Sequence, residues 1–414
     1  MPRDTSGDAE MTKSRHRVLL VGSHPVQYAA PLFRLMAQHP RLDPLVAYCS
    51  LQGAEPGLDP EFGIELTWDI PLLEGYPWIH VPNRSPRPGL GRFFGLVNPG
   101  LWTLVRRGGF DSVVIFTGYR YASFWIALAS AKVDRSTVLF GTDAHELRSR
   151  DTKAWKTRFK KWIWPSLFRI ADVVIVPSSG GMALMYSLGL PEERVVLTPY
   201  VVNNDWWVEQ ADRADPLAVR RAWNVPESSH VVLFCAKFQP WKRPLDVLRA
   251  FAKANVPDSF LVFAGEGPQR AELEAEGAAL GVSSRVRILG FVKQSELPGT
   301  YRAANLLVLS SEHEPFGVVV NEAMLCGCPV AVSDRVGARY DLVRPGQTGL
   351  VFPCGDIDLL AAILRNTLRD RARLQELSAA ARQRIQSWSP SQNIEALVMA
   401  VERAVAFRRK QGKA

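Results

Sequence analysis

At 414 residues the chain is longer than one hydrophobic core usually supports, which predicts two domains of roughly 150 to 200 residues each. Its 47% hydrophobic, 10% aromatic and 22% charged residues belong to a globular protein and exclude a disordered or fibrous one. Five scattered cysteines, Cys49, Cys235, Cys326, Cys328 and Cys354, exclude a disulfide framework and point to a reducing compartment, while the formal net charge of +9 has to be located before it says anything about partners.

Residues 1–15 are polar and read as a disordered tail. The apolar run behind them, Val18 to Val21, is far shorter than a signal-peptide core or the ~18 residues of a spanning helix, so neither secretion by that route nor membrane insertion is expected. From there β-branched runs alternate with helical patterns, and 17–22, 112–118, 136–143, 172–178 and 194–200 read as buried strands of a parallel sheet. Gly22, Ser23, His24 and Gln27 follow the first run, and Asp143 and His145 close the third in the string FGTDAHEL. Strand ends are where open α/β sheets bind ligands, so these residues are candidates for a cleft; a structural role is the competing reading for each histidine.

The charge excess sits between 148 and 169, where Arg148, Arg150, Lys153, Lys156, Arg158, Lys160, Lys161 and Arg169 face Asp151 alone. On a helix Trp155, Phe159, Trp162 and Ile163 share one face, and Pro165 is expected to end or kink it. Two readings fit. One is a surface helix whose aromatic stripe packs on its own domain, and the other is an interfacial helix against an anionic membrane. Nucleic acid is not expected, because no nucleic-acid-binding fold accompanies the patch.

Residues 200–226 break the strand rhythm with polar residues and prolines, which divides the chain into a first domain at 16–205 and a second at 206–388. Strands resume at 230–238, 259–267, 285–292, 305–311 and 328–334. Lys237 and Lys242 flank a Gln239-Pro240 turn at the end of the first of these, a place where two cations grip a diphosphate. Gly265 lies in a turn after the second, and Phe291 and Val292 end the third. In EPFGVVVNE, Pro315 and Gly317 favour a tight loop that feeds a helix, with Glu314 on the loop and Glu322 about two turns further on. Loop amides and the helix dipole there suit a phosphate or an array of hydroxyls. Cys326 and Cys328 bracket Gly327 with no second pair or histidine cluster, so no metal is expected. Beyond Arg384, Ser389 or Ser391 reads as the cap of a long amphipathic helix.

The string EPFGVVVNEAMLCGCPVAVSDRVGARYDLV resembles the donor-binding signature of glycosyltransferase family 4, retaining enzymes of the α/β GT-B fold, in which two Rossmann-like parallel-sheet domains face each other across a cleft. The resemblance implies that the helix at 389–414 returns to the first domain, which would hold the acceptor. It implies Lys237 and Lys242 on the donor diphosphate, Glu314 on a sugar hydroxyl, Glu322 on the ribose, and the amides of Phe316, Gly317 and Val318 on sugar and phosphate oxygens. Gly265 would turn beneath the nucleotide, backbone near Phe291 and Val292 would meet the base, and His145 would lie by the donor sugar and acceptor hydroxyl, with Gly22, His24, Gln27 and Asp143 lining the cleft. The chain departs from the common pattern in having Lys237 where arginine is usual, Ala236 where glycine is usual, and Gly22 alone where two adjacent glycines are usual. Lysine keeps the charge and loses the bidentate fork.

The expected function is metal-independent, cofactor-free transfer from a UDP- or GDP-sugar to a hydroxyl of a glycan, lipid-linked or small-molecule acceptor. Alternatives on the same fold are a nucleotide-sugar epimerase or hydrolase and a non-catalytic nucleotide-sugar-binding module. A Rossmann dehydrogenase is disfavoured, since no Gly-x-Gly-x-x-Gly follows the first strand. The expected location is the cytoplasm, with peripheral contact at the inner membrane face through 148–169.

Overall fold

The computed structural model describes residues 15–55, 57–59, 64–66, 68–148 and 154–411. The tail at 1–14 and Arg150, Asp151 and Lys153 of the basic segment lie outside them. In chain order the first half contains β1 (His16–Gly22), α1 (Ala29–Gln38), β2 (Leu42–Tyr48), β3 (Gly57–Asp59), β4 (Ile64–Leu66), β5 (Trp78–His80), α2 (Gly100–Gly108), β6 (Ser112–Ile115), α3 (Ala122–Asp134), β7 (Thr137–Gly141), α4 (Ala154–Phe168), β8 (Val173–Val176), α5 (Ser179–Ser187) and β9 (Val195–Leu197). The second half contains α6 (Asn204–Arg213), α7 (Pro216–Ala222), β10 (His230–Cys235), α8 (Pro244–Ala254), β11 (Ser259–Ala264), α9 (Arg270–Ala279), β12 (Val286–Gly290), α10 (Leu297–Ala303), β13 (Leu306–Leu309), α11 (Val318–Leu325), β14 (Val330–Ser333), β15 (Leu350–Phe352), α12 (Ile357–Arg369), α13 (Arg371–Gln386) and α14 (Pro390–Gln411).

Two parallel sheets result, seven strands in the order β5-β2-β1-β6-β7-β8-β9 and six in the order β12-β11-β10-β13-β14-β15; β3 and β4 form a separate antiparallel pair. Both sheets are buried on both faces, which is why their central strands read as continuous apolar runs. Along β1, Val18 and Leu20 enter one core and Leu19 and Val21 the opposite one. Along β10, Val232 and Phe234 separate in the same way from Val231 and Leu233. Five strands escaped the pattern reading: the β3–β4 pair and three strands of the parallel sheets. β2 carries Pro44 in its interior, and β5 and β15 are three-residue edge strands.

The chain leaves the first core after Val196 and enters the second at Val201. It returns at the end: Ala381, Ile385 and Trp388 pack in the second core, whereas Ile394, Leu397, Val398, Val401 and Ala404 of α14 share the core of Val18, Leu20, Leu139 and Val173. The helix starts at Pro390, directly after Ser389, and Ser391 falls inside its first turn.

Helix α4 does not pack as a stripe. Its buried residues are Trp164, Leu167 and Phe168 in the final turn, and Ile163 of the stripe packs half-buried beside them, while Trp155, Phe159 and Trp162 are 62%, 54% and 77% exposed. The reading of an aromatic face packed on its own domain is therefore corrected: only the end of the helix reaches the core, where Trp164 and Phe168 meet Tyr119 and Phe140 edge-on or tilted. The helix also runs through Pro165, leaving the Lys161 carbonyl without its usual helical donor.

Candidate functional site

The second-domain wall of the cleft is built where β10 and β13 end. Behind β10 a turn of 3-10 helix at Pro240–Lys242 is pinned by the Ser310 hydroxyl, which donates to the carbonyls of Lys242 at 2.9 Å and Arg243 at 2.8 Å. The amide of Glu312 donates to the Trp241 carbonyl at 2.7 Å, so the two strand-end loops are knitted together. This brings the Lys242 ammonium onto the Glu314 carboxylate, which also accepts from the Ser311 hydroxyl at 3.3 Å; the two side chains are only 18% and 12% exposed. Lys237 stands between β10 and the turn, its carbonyl accepting from the Gln239 amide at 2.8 Å.

The loop tightens at Gly317, whose φ of 98° belongs to the left-handed region and whose missing Cβ would meet Glu314 and Val336 side chains at 3.2 Å. Helix α11 begins at the next residue, so the amides at 317–319 stand in or before its first turn, where no earlier helical carbonyl exists to accept them. Glu322 sits in the second turn and points elsewhere than Glu314. Its carboxylate accepts from the Tyr301 hydroxyl of α10 at 2.7 Å, beside Cys235. Burial pushes its pKa up to about 7, against the Tyr301 hydrogen bond, which lowers it. The two carboxylates read together in the sequence thus have separate partners. Gly265 is required by contact: a Cβ there would lie 2.0 Å from the Ala236 carbonyl. Phe291 meets Trp68 of the first domain, ring to ring at 5.9 Å, and Val292 leans on the second core.

The opposite wall follows β7. His145 Nδ1 lies 3.1 Å from the Pro315 carbonyl, and since a carbonyl only accepts, Nδ1 carries the proton and Nε2 is left as an acceptor in the neutral ring. Burial lowers the His145 pKa, opposed by the Pro315 bond and by Glu146. Asp143 keeps solvent exposure while protein surrounds it, the situation of a side chain on a cleft wall. That crowding raises its carboxyl pKa; Glu314 across the cleft raises it further, and His145 and Lys160 oppose.

Four aromatic rings join the walls. Tyr28 lies 5.1 Å from Tyr200, Tyr200 stacks on Phe316 at 5.3 Å and 16°, and Phe316 stacks on Trp388 at 6.3 Å and 8°. Trp388 Nε1 and Asn321 Nδ2 both donate to the Tyr200 carbonyl, at 2.8 and 2.9 Å. Polar contacts cross as well: Arg148 to Glu312 at 2.6 Å, Arg335 to Glu146 at 3.5 Å, and the Gln294 and Ser295 amides to Asp69 at 3.2 and 3.1 Å.

Lys242, Glu314, Asp143 and His145 are thus gathered in one place, with the Phe316–Val318 loop between the domains. Of the residues after β1, Gly22 gives its carbonyl to the Cys49 amide at 3.0 Å, His24 Nδ1 pairs with the Ser23 hydroxyl at 2.9 Å, and Gln27 is half-buried in the turn before α1. It is their neighbour Tyr28 that reaches the second domain. Tyr28 and Tyr200 follow strands, so the strand-end rule finds them; Tyr301, Trp388 and the Arg148–Glu312 pair have no local signal. Among the described residues no three His, Cys, Asp or Glu side chains converge as a metal site requires. Two open grooves along α14, lined by Met182, Leu197, Met399 and Trp388 among others, hold none of the gathered groups.

Residues 10–201 match the family described as glycosyl transferase 4-like domain, and residues 217–384 match glycosyl transferases group 1. The chain belongs to the GT-B glycosyltransferases of family 4 type. A D-inositol 3-phosphate glycosyltransferase of Salinispora tropica is 34% identical over 208 residues, 48% of this chain and 43% of that protein. A 2-deoxystreptamine glucosyltransferase of Streptomyces kanamyceticus is 29% identical over 220 residues, 52% and 55% of the two chains. The chain spans about half the length of these relatives. The structure of Anabaena HepE in complex with UDP and glucose superposes with a TM-score of 0.69 at 19% identity, covering 92% of this chain and 98% of that one, and establishes that this family 4 type chain has the GT-B fold.

Proposed function

We propose that the chain transfers a sugar from a nucleoside diphosphate sugar to an acceptor hydroxyl with retention at the anomeric carbon. The carrying observation is the Lys242–Glu314 pair at the ends of β10 and β13, set against Asp143 and His145 of the other domain. Lys242 and Lys237 offset the charge that grows on the departing diphosphate, and a group preorganised for that charge stabilises the transition state more than the ground state. Glu314 accepts a sugar hydroxyl, Glu322 accepts from the ribose, and the amides at 317 and 318 donate to sugar or phosphate oxygens. The acceptor hydroxyl attacks the face that the diphosphate leaves, giving its proton to the leaving oxygen, while His145 Nε2 accepts a hydroxyl hydrogen beside it. With lysines at the diphosphate, no metal or further cofactor is required.

The names of the relatives support a hydroxyl acceptor, and the UDP in the HepE complex supports a nucleotide donor. A thermal-shift panel of UDP- and GDP-sugars tests the donor: a ligand at ~100 times its Kd adds about 2.7 kcal/mol of stability. Transfer is then assayed with the bound donor, with and without EDTA. Glu314→Ala is expected to lower turnover by about two orders of magnitude or more while remaining folded; near-normal transfer by the folded variant overturns the reading, and sugar released without an acceptor product favours a hydrolase.

A further inference from the structure

Helix α4 presents to solvent what a protein core normally takes in. Trp155, Phe159 and Trp162 recur at helical spacing and are 62%, 54% and 77% exposed. Arg158 and Lys161 are exposed beside them, Lys156 and Lys160 lie over the Trp155 and Trp164 rings at 5.7 and 5.1 Å, and the sequence 154–168 contains no acidic residue. The patch continues onto α3: the Trp125 indole donates to the Tyr119 carbonyl at 3.0 Å and is 40% exposed, and the Tyr119 hydroxyl accepts from Trp164 at 3.0 Å. Among the described residues the buried side chains of α4 are confined to its last turn, with Ile163 half-buried beside them, so Trp155, Phe159 and Trp162 stand outside the core.

We infer that this face docks on an anionic lipid surface. Tryptophan and phenylalanine among lysines and arginines match the boundary of a bilayer, where the rings enter the headgroup layer and the cations meet phosphates. Charge complementarity selects this occupant over a second copy of the chain, since two copies of an acid-free basic helix repel each other. The contact is peripheral: among the described residues no helix is long and apolar enough to cross a membrane. Lys160 acts electrostatically on Asp143, so the docked helix borders the first-domain wall of the cleft. The docking does not depend on the transferase reading, because it is measured without donor or acceptor.

Co-sedimentation of the full chain with phosphatidylglycerol-rich and with pure phosphatidylcholine vesicles tests it. Binding is expected to the first and not the second, to fall with salt, and to weaken about tenfold or more in Trp155→Ser/Phe159→Ser/Trp162→Ser and in Arg158→Glu/Lys161→Glu. The melting temperature of each variant, expected to match the parent, separates lost docking from lost folding. Equal vesicle binding by the folded triple variant overturns the proposal. So does concentration-dependent self-association without lipid that the triple variant abolishes, which assigns the face to a second copy.

Discussion

Glu314 and Asp143 face each other from opposite walls of one cleft, and they are kept there by opposite means. Glu314 is held by a lysine and a serine hydroxyl, so its charge is matched where it stands. Asp143 is crowded by protein and by Glu314 itself, with a neutral histidine near it, and its pKa rises. A wall of paired charges suits the anionic donor of the proposed reaction, because its cations are positioned before any diphosphate binds. A wall whose groups are pushed toward neutrality suits hydroxyls, which exchange hydrogen bonds without needing a counter-charge.

The strongest way to break this contrast is to remove the cation. Lys242→Ala is expected to cost a hundred- to thousandfold in turnover at saturating donor, about 3–4 kcal/mol of transition-state stabilisation, with circular dichroism unchanged. Next is Glu322, whose folded pKa of about 7 stands above its ordinary 4.5. The folded state then binds a proton that the unfolded chain has released, so stability is expected to fall as pH rises from about 4.5 to about 7, by up to roughly 3 kcal/mol, and to level off above. Glu322→Gln should flatten that slope in denaturant titrations at several pH values, and in the parent UDP should bind more tightly above pH ~7, where the carboxylate is ionised to accept the ribose.

His145→Ala is expected to lower turnover about ten- to a hundredfold. Its depressed pKa gives the opposite slope: the unfolded chain takes the proton first, so this contribution to stability is lost as pH falls below 6.5, and His145→Gln removes it. The smallest effect belongs to the pair that crosses the cleft in fullest view. Arg148 and Glu312 are 36% and 33% exposed, so Arg148→Ala should cost under ~1 kcal/mol in unfolding experiments.

The parallel strands, the lysine turn and the loop feeding α11 were legible because each is written in adjacent residues: β-branched runs, a Gln-Pro turn, a glycine before a helix. The partners were not. Glu314 and Glu322 look alike in the string EPFGVVVNE, yet one meets Lys242 and the other Tyr301, which depends on which strand ends lie side by side. The aromatic stripe of α4 has the same local pattern whether it packs inward or stands free, and the pattern alone left both readings open.

By itself the amino-acid order determined two α/β halves, a helix at the end, and a second-half loop rich in carboxylates and free-standing amides, since periodicity and turn chemistry act over a few residues. Only the tertiary structure decided that His145 would donate to Pro315, that Tyr200 would stack on Phe316, and that Arg148 would reach Glu312, 164 positions away. Those choices rest on where two sheets and a returning helix come to lie, and a contact between distant residues leaves no pattern near either of them.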